Sequence, residues 1–435
     1  MYSYSTRQVT PSASGLLRRR PGRNDTGWHV PPPVTPPGIL ANQQRTFARL
    51  WHSLAPQVRS DRRLPARLEA TLRRREFGAR DRRLYRELLY TALRYLPWIE
   101  ELSARAEADA IRAVAWLAAD TAATRAFREA LAGDFPPVPP TIVARARHLG
   151  VSADLLPAWF RPHCPAAFVP PNLEALHTRA PVWIRMQTDA PEPVLAELAA
   201  RGCAARPAAV LPGTWQITGE ADLTATAAWR EGRFELQDLG SQLILASADV
   251  RPGDRWLDAC AGAGGKTLQL AVLVGPTGCV DAHDIRGAAL AELARRARRG
   301  GFANIHPGLR LPERGEYDGV LVDAPCSGSG TWRRAPHLKW CTTPAEVAAH
   351  AARQRQLLAR FSPLVRPGGR LVYATCSLSR DENETVVGDF LAAAPGFAAT
   401  PPAGRFGVAA GAGRAILPAE HNTDGFFVAT LRRAL

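Results

Sequence analysis

Arg255-Trp256-Leu257-Asp258-Ala259-Cys260 runs into Ala261-Gly262-Ala263-Gly264-Gly265-Lys266-Thr267 and then into the apolar stretch Leu268-Gln269-Leu270-Ala271-Val272-Leu273. The first piece reads as a buried strand, the second as a glycine loop and the third as the opening of a helix. Glycines allow positive φ and a close backbone approach, and the helix start offers free N–H groups, so the three together predict a nucleotide cradle. From about Phe234 onward strand and helix patterns alternate, the signature of a doubly wound α/β sheet.

Working outward, Gly278-Cys279-Val280-Asp281-Ala282-His283-Asp284 predicts a second strand ending in an acid, at the distance where a ribose-binding carboxylate is expected. Asp284 also suits the N-cap of the helical segment that begins at Arg286. The tail Gly265-Lys266-Thr267 invites a P-loop reading, but G-x-x-x-x-G-K-[ST] needs glycine where Cys260 stands. The signals favour a ribosyl cofactor over a phosphate chain.

Two more strands are predicted where apolar runs stop at turn residues, Tyr317 to Val322 and Arg370 to Ala374. Each leads into a cysteine, in Asp323-Ala324-Pro325-Cys326-Ser327-Gly328-Ser329-Gly330 and in Tyr373-Ala374-Thr375-Cys376-Ser377. Carboxyl ends of parallel strands hold reactants in such sheets, whereas an isolated buried cysteine is by default a small hydrophobe. A carboxylate such as Asp323 can hold the amino edge of a planar base, and cytosine presents one at N4. C5 of cytosine takes a methyl group only after a thiolate adds at C6, so one thiolate and one base near C5 are required. The pattern leaves open which cysteine has which task.

At 435 residues, 46% of them hydrophobic, the chain is long enough for two or three domains. A formal charge of +15 and a pI near 10.3 point to an anionic partner. Nucleic acid fits better than membrane, since no apolar run approaches the ~20 residues that span a bilayer. Of 55 basic residues only Lys266 and Lys339 are lysine, and both fall inside motifs. Seven cysteines without a C-x-x-C speak against a disulfide framework or a zinc site and for a reducing cytoplasm.

The organisation expected is a disordered basic tail over 1–44, a helical domain over 45–165, a small α+β module resembling an RNA-recognition motif over 166–230 and a Rossmann-like catalytic domain over 231–435. Helical spacing of Leu84, Leu88, Ala92 and Leu96 amid arginines supports the second, with Arg73-Arg74-Arg75 and Arg80 to Arg83 as a nucleic-acid face or a solvated one. Strand-like Val182 to Met186, helical Pro193 to Arg201 and strand-like Thr214 to Thr218 support the third.

The motifs around Lys266, Asp323, Cys326 and Cys376 resemble the RsmB/Nop (Sun) family of RNA 5-methylcytosine methyltransferases. So do Arg333-Arg334-Ala335-Pro336-His337-Leu338-Lys339-Trp340, Pro367-Gly368-Gly369, Glu382-Asn383-Glu384, Thr423-Asp424-Gly425-Phe426-Phe427 and the entry segment Gln237-Asp238 with Ser241-Gln242. The resemblance implies S-adenosylmethionine as cofactor and RNA, expected to be ribosomal, as partner, with no metal and no membrane. It implies Cys376 as the C6 nucleophile, Cys326 as the partner that helps release product, Asp323 on the cytosine edge and Lys266 beside the cofactor and the target base. The cofactor would lie on Cys260, Ala261, Gly262, Gly264, Gly265, Lys266, Asp284 and Asp323, and RNA on Arg333, Arg334 and Lys339. Transfer RNA as substrate, or an inactive RNA-binding assembly factor, are the alternatives, and a monomer is the default. The chain departs from the family pattern at Gly262-Ala263, where Ala-Pro is common, and over Asn304 to Arg310, where an Asp near the adenine is absent.

Overall fold

The computed structural model describes residues 37–308, 311, 316–401 and 404–435. Most of the expected tail lies outside these residues, but 37–44 correct its boundary, because α1 (Pro37–Leu54) is already helical there. Proline suits the first turn of a helix, and Phe47, Leu50, Trp51 and Leu54 recur at helical spacing and are buried. The helical region continues through α2 (Leu64–Leu72), α3 (Ala79–Arg94), α4 (Leu96–Arg105), α5 (Glu107–Leu117), α6 (Arg125–Ala132), α7 (Ile142–Leu149) and α8 (Asn172–Leu176). Leu84, Leu88 and Ala92 face inward from α3, while Arg73, Arg74, Arg75, Arg80 and Arg83 stay in solvent. The helical core runs on to Leu173 and Leu176, past the expected limit at 165, and takes in Trp332 and Leu378 from the C-terminal part of the chain.

Next comes a small antiparallel sheet formed by β1 (Val182–Met186), β2 (Ala204–Pro207), β3 (Thr214–Thr218) and β4 (Phe234–Leu236), in the order β2-β3-β1-β4. Helices α9 (Glu192–Ala200) and α10 (Ala227–Arg230) belong to the same unit. Val194 and Leu198 of α9 bury against Ile184, Ile217 and Phe234. Because β4 pairs with β1, this module ends after Leu236 rather than at 230.

The C-terminal domain opens with α11 (Leu239–Ala246) and continues as β5 (Arg255–Asp258), α12 (Gly265–Val274), β6 (Cys279–His283), α13 (Gly287–Arg299), β7 (Ile305–Gly308), β8 (Tyr317–Asp323), α14 (Pro336–Cys341), α15 (Pro344–Phe361), β9 (Val365–Thr375) and α16 (Glu384–Ala393). Its last strands are β10 (Phe397–Thr400), β11 (Val408–Ala410), β12 (Gly413–Ile416) and β13 (Phe426–Arg433). The sheet order is β11-β12-β13-β9-β8-β5-β6-β7, with β10 paired to β13. Strands β5 to β9 are mutually parallel, and β10 to β13 add an antiparallel edge to the doubly wound core. The chain winds from β5 out to β7 and then returns to β8 and β9 on the other side. A crevice therefore opens between the carboxyl ends of β5 and β8, the place where such sheets bind ligands. No helix among the described residues is long and apolar enough to cross a membrane.

Candidate active site

A cavity of about 740 Å³ occupies that crevice, lined from the ends of β5, β6, β8 and β9. Lys266, in the first turn of α12, reaches across it to Asp323 at the end of β8, Nζ to Oδ2 at 2.8 Å. Burial opposes the ammonium, but the Asp323 carboxylate more than offsets this and holds Lys266 above the usual lysine range. The ring of Phe426 lies 5.7 Å from the same nitrogen. Lysine suits the position because a compact ammonium can sit 9% exposed among a carboxylate, an aromatic face and two thiols, where a planar guanidinium would not pack.

Cys326 and Cys376 stand with their sulfurs 3.3 Å apart, both partly accessible and both lining the cavity. Their surroundings are unequal. The hydrogen bond to Cys376, then burial, then the charge of Cys376 and Glu382 push the Cys326 thiol well up. Cys326 and Cys376 share one hydrogen bond in which either sulfur can be the donor. Cys260, just past the end of β5, is also pushed up, chiefly by burial.

Beneath the thiols lies a network that sequence patterning did not reveal. Glu382 is fully buried and accepts from Ser327 N at 2.8 Å, Ser327 Oγ at 2.5 Å, Ser377 Oγ at 2.6 Å and Gln354 Nε2 at 3.2 Å. Asn383 accepts from Thr375 Oγ1 at 2.6 Å and donates to the Ser377 carbonyl at 2.9 Å. Gly330 N donates to the Cys376 carbonyl at 2.9 Å and its own carbonyl accepts from Gly425 N at 2.7 Å. A Cβ on Gly330 would run into Gly425, which is why glycine stands at this three-way approach. The two cysteine loops are in this way welded to each other and to the start of β13. The only signal in the sequence was the acid itself, in Glu382-Asn383-Glu384, a few residues past Cys376.

On the other side of the cavity Asp284 accepts from Gly262 N at 2.8 Å and from Arg286, through N, Nε and Nη2, at 2.8 to 2.9 Å. The Arg286 side chain, then its backbone N–H and that of Gly262, hold the Asp284 carboxyl down at about 2, outweighing burial. It is an ionised acceptor at the end of β6 that also fixes the entry to α13. Asp258 is buried and accepts from Thr267 Oγ1 at 2.7 Å; burial raises its carboxyl to about 7. Cys260, Ala261, Gly262, Gly265, Lys266, Asp284 and Asp323 all line the cavity. Gly264 does not: at φ 90° it turns the loop, and a side chain there would collide with Leu293 of α13. Its glycine serves loop-to-helix packing.

The expected RNA contacts require correction. Arg333 is 2% exposed and its guanidinium donates to the carbonyls of Thr423 and Arg179, to Thr178 Oγ1 and to Asn422 Oδ1. Lys339 is 1% exposed and donates to the Arg94 carbonyl at 2.9 Å, with His177 Nε2 at 2.8 Å and the Trp340 ring 4.5 Å away. Trp340 Nε1 donates to the Leu93 carbonyl at 2.6 Å. These side chains pin the C-terminal domain to α3 and to the segment after α8, so they are unavailable to phosphate. Arg334 alone of the three is half-exposed; it lines the cavity, tied to Asp424 at 2.8 Å and Asp238 at 3.1 Å.

Residues 245–432 match the family model described as 16S rRNA methyltransferase RsmB/F. This part of the chain is thus similar to that family. A probable ribosomal RNA small subunit methyltransferase B of Synechocystis is 36% identical over 225 residues, 49% of this chain and 50% of that protein. The corresponding Xanthomonas campestris protein is 32% identical over 265 residues, 59% of this chain and 60% of that one. The chain thus spans half to three-fifths of the length of these relatives. Among solved structures, PH0851 superposes with a TM-score of 0.68 at 22% identity, over 92% of this chain and 99% of that one. A methyltransferase homolog from Pyrococcus horikoshii gives 0.54 at 25% identity, over 68% and 99%. The likeness in fold to PH0851 therefore extends through the helical and α+β units as well as the large C-terminal sheet.

Proposed function

We propose that the protein transfers the methyl group of S-adenosylmethionine to C5 of a cytosine in ribosomal RNA, through a covalent adduct between Cys376 and C6. The observation that carries this reading is the pair of thiols 3.3 Å apart, one held protonated, beside the Lys266–Asp323 pair at the mouth of a cofactor-sized cavity. The descriptions of the family and of the relatives, rRNA methyltransferases, favour ribosomal RNA over transfer RNA as the target.

The cavity residues fit the cofactor. Asp284 is an ionised acceptor suited to a ribose diol. Lys266, which a phosphate chain would need, is already paired with Asp323. When bound, S-adenosylmethionine supplies an electrophilic methyl. Cys376 as thiolate adds to C6 and pushes an electron pair toward C5, which takes the methyl. Loss of H5 as a proton then re-forms the C5–C6 double bond and expels Cys376 as thiolate. Lys266 stabilises anionic charge at Cys376 and, through its 2.8 Å contact, positions Asp323 for the N4 edge of the base. Once Cys376 is bonded to carbon, the hydrogen bond that chiefly pushes the Cys326 thiol up is gone; Cys326 gives its proton to solvent, accepts H5 as a thiolate and is left as the thiol.

The test is methyl transfer from radiolabelled S-adenosylmethionine to unmodified small-subunit rRNA, with transfer RNA as a parallel arm, followed by nucleoside analysis. Label in 5-methylcytidine from rRNA, lost in Cys376→Ala with cofactor binding intact, is the expected result. Label in another nucleoside, or full activity in Cys376→Ala, refutes the assignment. No transfer to either RNA favours a binding role.

A further inference from the structure

Past the Asp284 carboxylate the cavity ends against His283 and Ile285 from β6 and its loop and against Leu357 and Phe361 from α15. Ile285 is 68% exposed and lends the cavity wall an apolar side chain. His283 is 5% exposed; its ring interacts with the Gly308 backbone, and among the described residues no side chain pairs with either ring nitrogen, so at least one is left without a partner. Buried polar atoms are ordinarily paired, so a side chain left this way on a cavity wall points to a partner that the cavity receives. Its ring lies 5.8 Å from Phe361, which sets it at the apolar end of the cavity rather than over the thiols. Burial, then the Arg360 charge, lowers the His283 basicity against the opposing Gly308 backbone contact, and a neutral ring carries one N–H, which the Gly308 backbone can take, and one acceptor nitrogen.

We propose that His283 reads the purine of the cofactor, one ring nitrogen accepting a hydrogen bond from the 6-amino group of an adenine that rests on Ile285, Leu357 and Phe361. The inference rests on the S-adenosylmethionine reading of the cavity and names a residue that sets its base specificity. A nucleoside lacking the amino donor keeps the apolar contacts and loses only this bond, so His283 governs discrimination between bases more than overall affinity.

Calorimetric titration of S-adenosylhomocysteine and of its 6-deamino purine analogue, with wild type and His283→Phe, tests it without recourse to activity. Wild type should bind the adenine compound about five- to tenfold more tightly than the analogue. In His283→Phe, which keeps an aromatic ring beside Phe361 but no nitrogen, that preference should fall to within about twofold while the analogue binds as before. His283→Leu repeats the comparison should the phenylalanine prevent folding. A wild-type preference retained in a folded variant overturns the role of His283 and leaves the cofactor reading standing. Failure of wild type to bind either compound overturns the cofactor reading and this inference with it.

Discussion

At the scale of single residues the site is an arrangement of unequal partners. The two cysteines share one hydrogen bond, yet Cys326 is held protonated while Lys266 lies close enough to Cys376 to feel its charge. Replacing Lys266 by arginine would put a bulkier, planar cation into a site 9% exposed; we expect Lys266→Arg to lower methyl transfer at least about tenfold with a smaller effect on cofactor affinity, read by single-turnover kinetics and calorimetry. Asp258 gives a pH signature. Its carboxyl titrates near 3.8 when unfolded and near 7 when buried. Between those values the unfolded chain releases a proton that the folded protein keeps. The stability contributed by neutral Asp258 is thus complete below about pH 3.8 and is lost as pH rises through about 7. Asp258→Asn, which cannot ionise, should flatten the fall in Tm between pH 4 and pH 7. An unchanged slope would contradict the burial of a neutral acid there.

At the scale of elements the loops after β8 and β9 are held as one piece by Glu382. Glu382→Ala leaves Ser327 N and two serine hydroxyls without their shared acceptor, and should cost about 3 kcal/mol or more in urea unfolding. A change within about 0.5 kcal/mol would show the network to be dispensable. The strands that carry the site were legible because each is an apolar run that stops at a turn: β8 ends at Asp323 and β9 at Thr375, each one residue past the expected Val322 and Ala374, and the thiols meet above them. The Glu382 network was not legible, since Ser327 and Ser377 lie 50 residues apart and serines carry no periodic signal. His283 was hidden for another reason: within an apolar strand a histidine reads as core, and only its missing side-chain partners set it apart. The extra length of β9, from Val365 through Pro367-Gly368-Gly369, escaped because proline and glycine normally mark a turn, and here they accompany an irregular register against β8.

At the scale of the whole molecule, basic residues that looked like an RNA-facing loop are joints between domains. The partners of Arg333 and Lys339 include the backbone carbonyls of Arg94, Arg179 and Thr423, which leave no trace in a sequence, so the expectation drawn from the resemblance misled. Two consequences separate a joint from an RNA contact. Arg333→Ala should speed protease cleavage around Thr178–Ala180, where it removes the side chain that holds that segment. Lys339→Met should leave the slope of log affinity for RNA against log salt unchanged, whereas loss of a phosphate contact would shift it by about 0.7 to 0.9. The claim on which the account turns is covalent catalysis divided between two thiols, and trapping the intermediate tests it most directly. Cys326→Ala, incubated with S-adenosylmethionine and small-subunit rRNA and run on a denaturing gel, should accumulate an RNA–protein adduct that disappears in the Cys326→Ala/Cys376→Ala double variant. Normal turnover by Cys326→Ala without an adduct, or an adduct that survives the loss of Cys376, would contradict the account.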